Sequence, residues 1–139
     1  MRKIILASHM TMAKGMQETL EFLMPNVSDV TTITAYVENI PVAEDIATVM
    51  AEVTADDEVL IFTDLLGGSV NQAFIPYLKR PHIHLITGVN LPLLLTILVS
   101  LPDDYVDPLK IKATIQTARE QLVYVNEHLK EQALDDEDE

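Results

Sequence analysis

The chain has 139 residues, 48% of them hydrophobic, no cysteine, and 22 acidic against nine basic side chains, for a formal net charge of −13. That length supplies one ordinary domain with a real core, because a chain of about this size buries roughly two thirds of its unfolded surface. The lack of cysteine excludes a disulfide scaffold and a thiolate metal site, and the negative charge repels nucleic acid and anionic lipid.

In chain order, Lys3 to Ser8 is a short apolar run that reads as a strand buried on both faces, and it closes on His9. A helix is expected from Thr11 to Met24, stopped before Pro25. Thr31 to Val37 alternates polar with apolar, as a strand nearer an edge does, and Val42 to Val53 is helical in pattern. Glu58 to Thr63 is a second continuous apolar strand. It ends in Asp64-Leu-Leu-Gly-Gly-Ser69, after which Ser69 to Leu78 reads as a helix that Ser69 can N-cap.

His82 to Ile86 alternates again. Leu91 to Leu101, with Asn90 as N-cap and Pro92 near the first helical position, is apolar almost all round. Such a helix packs on two sides, either at a subunit interface or under the C-terminal segment. It is too short to cross a bilayer, and the N-terminal run is too short for a signal-peptide core, so a cytoplasmic protein is expected. From Leu109 to Gln132 the pattern is largely helical, although Leu122-Val-Tyr-Val-Asn126 is β-rich enough for a fifth strand. The acidic run Asp135 to Glu139 reads as part of a disordered tail.

Strands alternating with helices make an α/β fold, a doubly wound open sheet that is mostly parallel with helices on both faces. Placing the two continuous runs centrally and the two alternating ones outside gives the order 2-1-3-4. Strands 1 and 3 are then neighbours whose helices leave on opposite faces, and the crevice between their C-terminal ends is the topological switch point where such folds place ligands. His9 and Asp64 stand at its two lips.

That inventory suits phosphoryl chemistry. One imidazole nitrogen can attack phosphorus while a neighbour holds the proton on the other, and Asp64 is the natural hydrogen-bond partner. The helix start after Met10 and Thr11 supplies free N–H groups and a positive dipole end, and the turn Gly67-Gly68-Ser69 supplies further amides and a hydroxyl. Taken singly, His9 also fits a structural histidine, Asp64 a turn cap, and the glycines a tight turn. Other chemistries lack their parts: there is no phosphate-binding G-x-x-x-x-G-K-[ST] loop, no dinucleotide G-x-G-x-x-G after a strand and no G-x-S-x-G elbow. His82 and His84 share a strand face without a third ligand, so no metal site is expected, and no metal or nucleotide cofactor is required.

Three blocks of residues carry a resemblance. Ala7-Ser-His9 with Ala13-Lys-Gly-Met-Gln-Glu-Thr-Leu20, Phe62-Thr-Asp-Leu-Leu-Gly-Gly-Ser69 with Asn71 and Ala73, and Ile86-Thr-Gly-Val-Asn-Leu-Pro-Leu93 closely resemble the enzyme IIA component of the mannose-type (mannose/fructose/sorbose) sugar phosphotransferase system. They occur in the family's order across roughly the first hundred residues, and together they are more specific than any one motif.

The resemblance implies a single phosphocarrier domain over residues 1–133 with an acidic tail at 134–139. It implies a cytoplasmic homodimer that exchanges an antiparallel edge strand between subunits, which would make Leu122 to Asn126 a strand and the Leu91 helix an interface. Such a protein accepts a phosphoryl group from the phosphocarrier HPr on a histidine and passes it to a IIB domain, which phosphorylates sugar entering through the membrane subunits IIC and IID. By position His9 is the phosphohistidine and Asp64 its partner, with Ser69, Gly67, Gly68, Met10 and Thr11 around the phosphoryl group. Two residues depart from the family pattern: Met10 stands where glycine is usual and Val70 where proline is usual. Two rival functions keep the same fold: a non-catalytic or regulatory IIA-like binding module, and the phosphocarrier of a dihydroxyacetone kinase.

Overall fold

Eight residues, Arg2–His9, form β1, and Ile4 to Ala7 within it are fully buried. A strand apolar on both sides is stable only when both of its edges and both of its faces are covered. In the computed structural model, which describes residues 1–27 and 29–137, β1 pairs in parallel with β2 (Val30–Ala35) on one edge and β3 (Glu58–Thr63) on the other. Strand β4 (Ile83–Thr87) pairs in parallel with β3. The sheet order is β2-β1-β3-β4, the order expected from the two continuous and two alternating runs.

The chain divides into two compact units, Met1–Leu94 and Leu95–Glu139. In the first, α2 (Val42–Met50) and α3 (Ser69–Phe74) cover one face of the sheet. Ile46, Met50, Val70 and Phe74 from these helices cluster with Ile5, Ala7, Ile33, Ala35, Val59, Ile61 and Ile83. The other face of β1 receives α1 (Met12–Leu23). There Ser8, almost wholly buried, accepts a 2.8 Å hydrogen bond at Oγ from the Ala13 amide. Met24 caps α1 ahead of Pro25, as the pattern requires.

One helix differs in detail from expectation at both of its ends. Gly68, not Ser69, occupies the N-cap of α3, and Ser69 is its first residue, because the Ser69 hydroxyl is turned to other partners. The helix also closes early, tightening into a 3-10 turn over Ile75–Lys79 around Pro76. Asn90 does cap α4 (Leu91–Val99), its Oδ1 accepting from the Leu93 amide at 2.8 Å. Leu93, Leu94 and Ile97 are buried, and the division between units falls inside this helix.

The second unit holds the end of α4 and two further helices, α5 (Pro108–Arg119) and α6 (Val125–Glu137). Asp107 caps α5 through a bond from the Leu109 amide, with Pro108 at the first position. The β-rich Leu122 to Asn126 forms no strand among the described residues. Leu122 to Tyr124 have no ladder partner among the described residues, and Val125 and Asn126 belong to α6, which the helix formers from Glu127 to Ala133 propagate. The acidic run continues α6 as far as Glu137. Residues 138 and 139 lie outside the described residues.

The buried Ser8–Ala13 bond fixes where α1 leaves β1, next to His9. Ser8→Ala should lower unfolding free energy by about 1–2 kcal/mol, because it orphans a buried amide, while leaving the fold intact. The urea midpoint at constant m-value reads this directly.

Candidate active site

Because all four strands run the same way, their C-terminal ends meet at one rim, and the lips of the β1–β3 crevice are set by the ladder register. Ala7 pairs with Thr63, so Asp64 is the first residue past the pairing, while His9 still pairs with Ala35 of β2 on the other side. His9 shares its sheet face with Ile5 and Ala7, the face that α3 covers.

The carboxylate of Asp64 reaches across the crevice and takes two bonds from one residue. Its Oδ2 accepts from the His9 amide at 2.8 Å and lies 2.7 Å from His9 Nδ1. Its Oδ1 accepts from the Leu65 amide at 3.0 Å, so Asp64 also ties the following turn. Burial alone raises the Asp64 carboxyl above its ordinary value near 3.8. The bonds from the His9 amide and ring, the His9 charge, and the backbone bond within its own turn outweigh that and hold it lower. Asp64 is therefore an anion, and an anion beside Nδ1 selects the tautomer with its proton on Nδ1 and a lone pair on Nε2. The Asp64 side chain is 8% exposed and that of His9 36%, so the orienting group is shielded and the ring it orients is open to solvent.

On the Nε2 side stands Ser69, its Oγ 3.4 Å away, too long for a strong bond but close enough to face the nitrogen. The turn between β3 and α3 makes this approach feasible. Gly67 holds φ +78°, and Gly68 lies so near the ring that a Cβ there would sit 3.4 Å from His9 Cε1 and 3.2 Å from the Leu65 carbonyl oxygen. A buried bond from Thr63 Oγ1 to Asn71 Oδ1, 2.8 Å long, pins the end of β3 to α3 behind the turn.

The structure thus brings His9, Asp64, Gly67, Gly68 and Ser69 together, but two of the expected backbone donors are already engaged. The Gly68 amide donates to the Leu65 carbonyl at 3.1 Å and the Met10 amide to the Ala35 carbonyl at 2.8 Å. Thr11 stands at the N-cap of α1 without a side-chain capping bond. Met10 adopts φ +54°, a left-handed conformation that costs a non-glycine residue about 1–2 kcal/mol. Its side chain points outward and is more than half exposed.

Sequence reasoning missed Tyr36. Its ring stacks on the His9 imidazole with centroids 5.5 Å apart and planes at 26°, and its hydroxyl is 2.6 Å from Ser69 Oγ. The available signal was its position just past Ala35, the residue opposite His9. What hid it was its φ of +68°, which swings the ring over the rim and is not written in any residue pattern.

Elsewhere, His84 lies 3.6 Å from the buried Glu58 carboxylate, with burial pushing its imidazole down in pKa. Among the described residues no group of three histidine, cysteine or carboxylate side chains is placed to hold a metal ion. None of the described helices is long and apolar enough to span a membrane.

Residues 3–114 match the family of the PTS system fructose IIA component, EIIA-man. The chain belongs to this family of phosphotransferase-system IIA components. A structure from Klebsiella pneumoniae, assigned to a phosphoenolpyruvate-dependent sugar phosphotransferase system as its permease, shares 34% identity at a TM-score of 0.86, covering 92% of this chain and 93% of that one. Component EIIA from Streptococcus agalactiae shares 22% identity at TM-score 0.77, covering 91% and 98%. The mannose/sorbose-specific IIA subunit from Enterococcus faecalis shares 18% at 0.71, covering 88% and 92%. These last two share the fold. No curated protein sequence matches significantly.

For this IIA component the lowered carboxyl of Asp64 has a measurable consequence. Its folded pKa lies below its unfolded one, so its contribution to stability is complete above pH 3.8 and is lost as pH falls through the folded value. In urea unfolding, the gap between wild type and Asp64→Asn should be widest near neutrality and close as pH falls from there through and below the ordinary carboxyl value of 3.8. A gap constant across that range would mean that Asp64 is not held as an anion by His9.

Proposed function

We propose that the chain is a phosphoryl carrier of a sugar phosphotransferase system, receiving phosphate from phospho-HPr on His9 and passing it to a IIB domain. Transfer to IIB would feed sugar uptake and phosphorylation at the membrane subunits IIC and IID. On this reading residues 1–133 act as one cytoplasmic phosphocarrier domain, working as a homodimer, and the reaction is a phosphotransfer through a phosphohistidine. The observation that carries the reading is the division of labour on the imidazole: Nδ1 is held by a buried carboxylate while Nε2 is left open at the rim.

The transfer balances without any proton leaving the site. Neutral His9 attacks the phosphorus of the donor's phosphoimidazolium in line, the Nε2–P bond forms, and the donor's N–P bond breaks with its electron pair returning to the donor ring. The positive charge that leaves the donor ring appears on His9, where the Asp64 carboxylate stabilises it through Nδ1–H. Ser69 Oγ stands on the side where the phosphoryl oxygens would lie, and the amides of Ser69 and Val70, opening α3 without helical acceptors, are further donors. Running the same step in reverse onto a IIB group restores neutral His9.

A carrier must meet its partners at the nucleophile, and the rim is built for contact. Met10 and Met12 after β1, Tyr36 and Val37 after β2, and Leu65 and Leu66 after β3 are all exposed apolar side chains. Apolar groups gathered around an open nucleophile favour a protein surface over a small hydrophilic substrate.

Incubation with phosphoenolpyruvate, enzyme I and HPr should add one phosphate, located on His9 by mass spectrometry and absent from His9→Ala. Asp64→Asn should still fold and take up phosphate about 10²- to 10⁴-fold more slowly, the scale on which a misoriented imidazole fails. Unmodified wild-type protein, or phosphate persisting in His9→Ala, overturns the reading.

A further inference from the structure

We propose that Tyr36 is a positioning residue, whose hydroxyl holds the Ser69 hydroxyl against His9 Nε2 and whose ring steadies the imidazole from the side. This rests on the phosphocarrier reading for its purpose, but its geometry stands apart from it. Oη of Tyr36 and Oγ of Ser69 are 2.6 Å apart, the shortest link in a chain that runs on to Nε2 at 3.4 Å and through the ring to Asp64 at 2.7 Å.

The direction of that chain follows from its charged end. Asp64 can only accept, so Nδ1 donates to it and Nε2 is left to accept. Ser69 Oγ–H is then the donor facing Nε2, and Tyr36 Oη–H is the donor to Ser69 Oγ. Each proton points toward the imidazole. When Nε2 carries a phosphoryl group, its oxygens take the place of the lone pair as acceptors, and neither hydroxyl has to turn round. A serine hydroxyl left to itself rotates among three staggered positions and spends much of its time facing water. The tyrosine removes that freedom before the phosphoryl group arrives.

The ring contributes separately. An offset stack at 5.5 Å and 26° limits the rotation of the imidazole, and an aromatic face beside the ring favours its cationic, phosphorylated form. A tyrosine held at φ +68° is unfavourable by itself, so the scaffold must enforce this placement. The enforcement comes from the neighbouring bond, in which the Ala35 carbonyl accepts the Met10 amide at 2.8 Å and locks the ends of β2 and β1 together.

Tyr36→Phe keeps the ring and the backbone while deleting one hydroxyl, so it separates the two roles. In the unphosphorylated protein, the ¹⁵N shift of His9 Nε2 should move in Tyr36→Phe and in Ser69→Ala. The double variant should move it little beyond Ser69→Ala, and the ring-current shift of the His9 Cε1 proton should stay in Tyr36→Phe and vanish in Tyr36→Ala. In single-turnover transfer from phospho-HPr, Tyr36→Phe should slow the step about 3- to 10-fold, the value of one hydrogen bond, at unchanged apparent affinity for the donor. An unmoved Nε2 shift in Tyr36→Phe, or a wild-type transfer rate in that variant, overturns the proposal. If wild-type protein takes no phosphate while the Nε2 shift moves as described, the carrier reading falls and the positioning of Ser69 by Tyr36 stands.

Discussion

The pairing of β1 with a parallel neighbour on each edge is the constraint on which the rest of the structure depends. Parallel ladders leave no freedom of register once Ile5 and Ala7 must face Ile46, Met50, Val70 and Phe74, because a slip of one residue would turn each of them to the opposite face. The same requirement fixes His9. It is two residues beyond Ala7 on the same face, it ends the strand, and it has Ala35 on one side and the chain leaving Thr63 on the other. Core packing therefore brings the His9 backbone to the rim, and Asp64 and Tyr36 then orient its ring.

Of the six described residues with positive φ, four lie at this rim, while Asp29 and His82 precede β2 and β4. Met10 follows β1, Tyr36 follows β2, Gly67 lies in the turn after β3 and Gly88 follows β4, and all four have positive φ. At the two glycines this conformation costs nothing, whereas at Met10 and Tyr36 it costs about 1–2 kcal/mol each. The opposing side chains make the difference intelligible. Gly68 must stay small for the imidazole to fit, whereas Tyr36 uses its strained backbone to bring a ring and a hydroxyl to His9. Met10 spends the same strain on presenting an exposed side chain beside His9.

On the carrier reading proposed above, the electrostatics of the rim suit a place where a phosphoryl group stops briefly. Among the described residues, the side chains that hydrogen-bond to or stack on His9 are Asp64, Ser69 and Tyr36, one anion and two hydroxyls, and none is a lysine or arginine. Guanidinium forks bind phosphate bidentately and hold it. Neutral donors stabilise the equatorial oxygens with less depth, and a carrier that must hand its group onward gains nothing from a deep well. The chain's formal charge of −13 points the same way, since it favours partners that are neutral or basic where they touch.

The sequence by itself determined the sheet. Continuous apolar runs at Lys3 to Ser8 and Glu58 to Thr63 against alternating ones at Thr31 to Val37 and His82 to Ile86 are consequences of how many faces each strand buries, and that is a local property of composition. It placed the candidate nucleophile and its partner as well, because strand order alone puts His9 and Asp64 on one crevice. Asn90 and Pro25 were legible for the same reason, as caps and stops act within one turn of helix. What only the tertiary structure decided depends on approach between distant segments or on backbone torsions no residue type announces. The Gly68 and Met10 amides are taken by the Leu65 and Ala35 carbonyls, Ser69 gives up the helix cap to face His9, and Tyr36 turns through a left-handed φ onto the imidazole. Leu122 to Asn126 shows the converse limit: β propensity makes a strand only where an edge is present to pair with it, and within this chain Val125 and Asn126 join a helix instead.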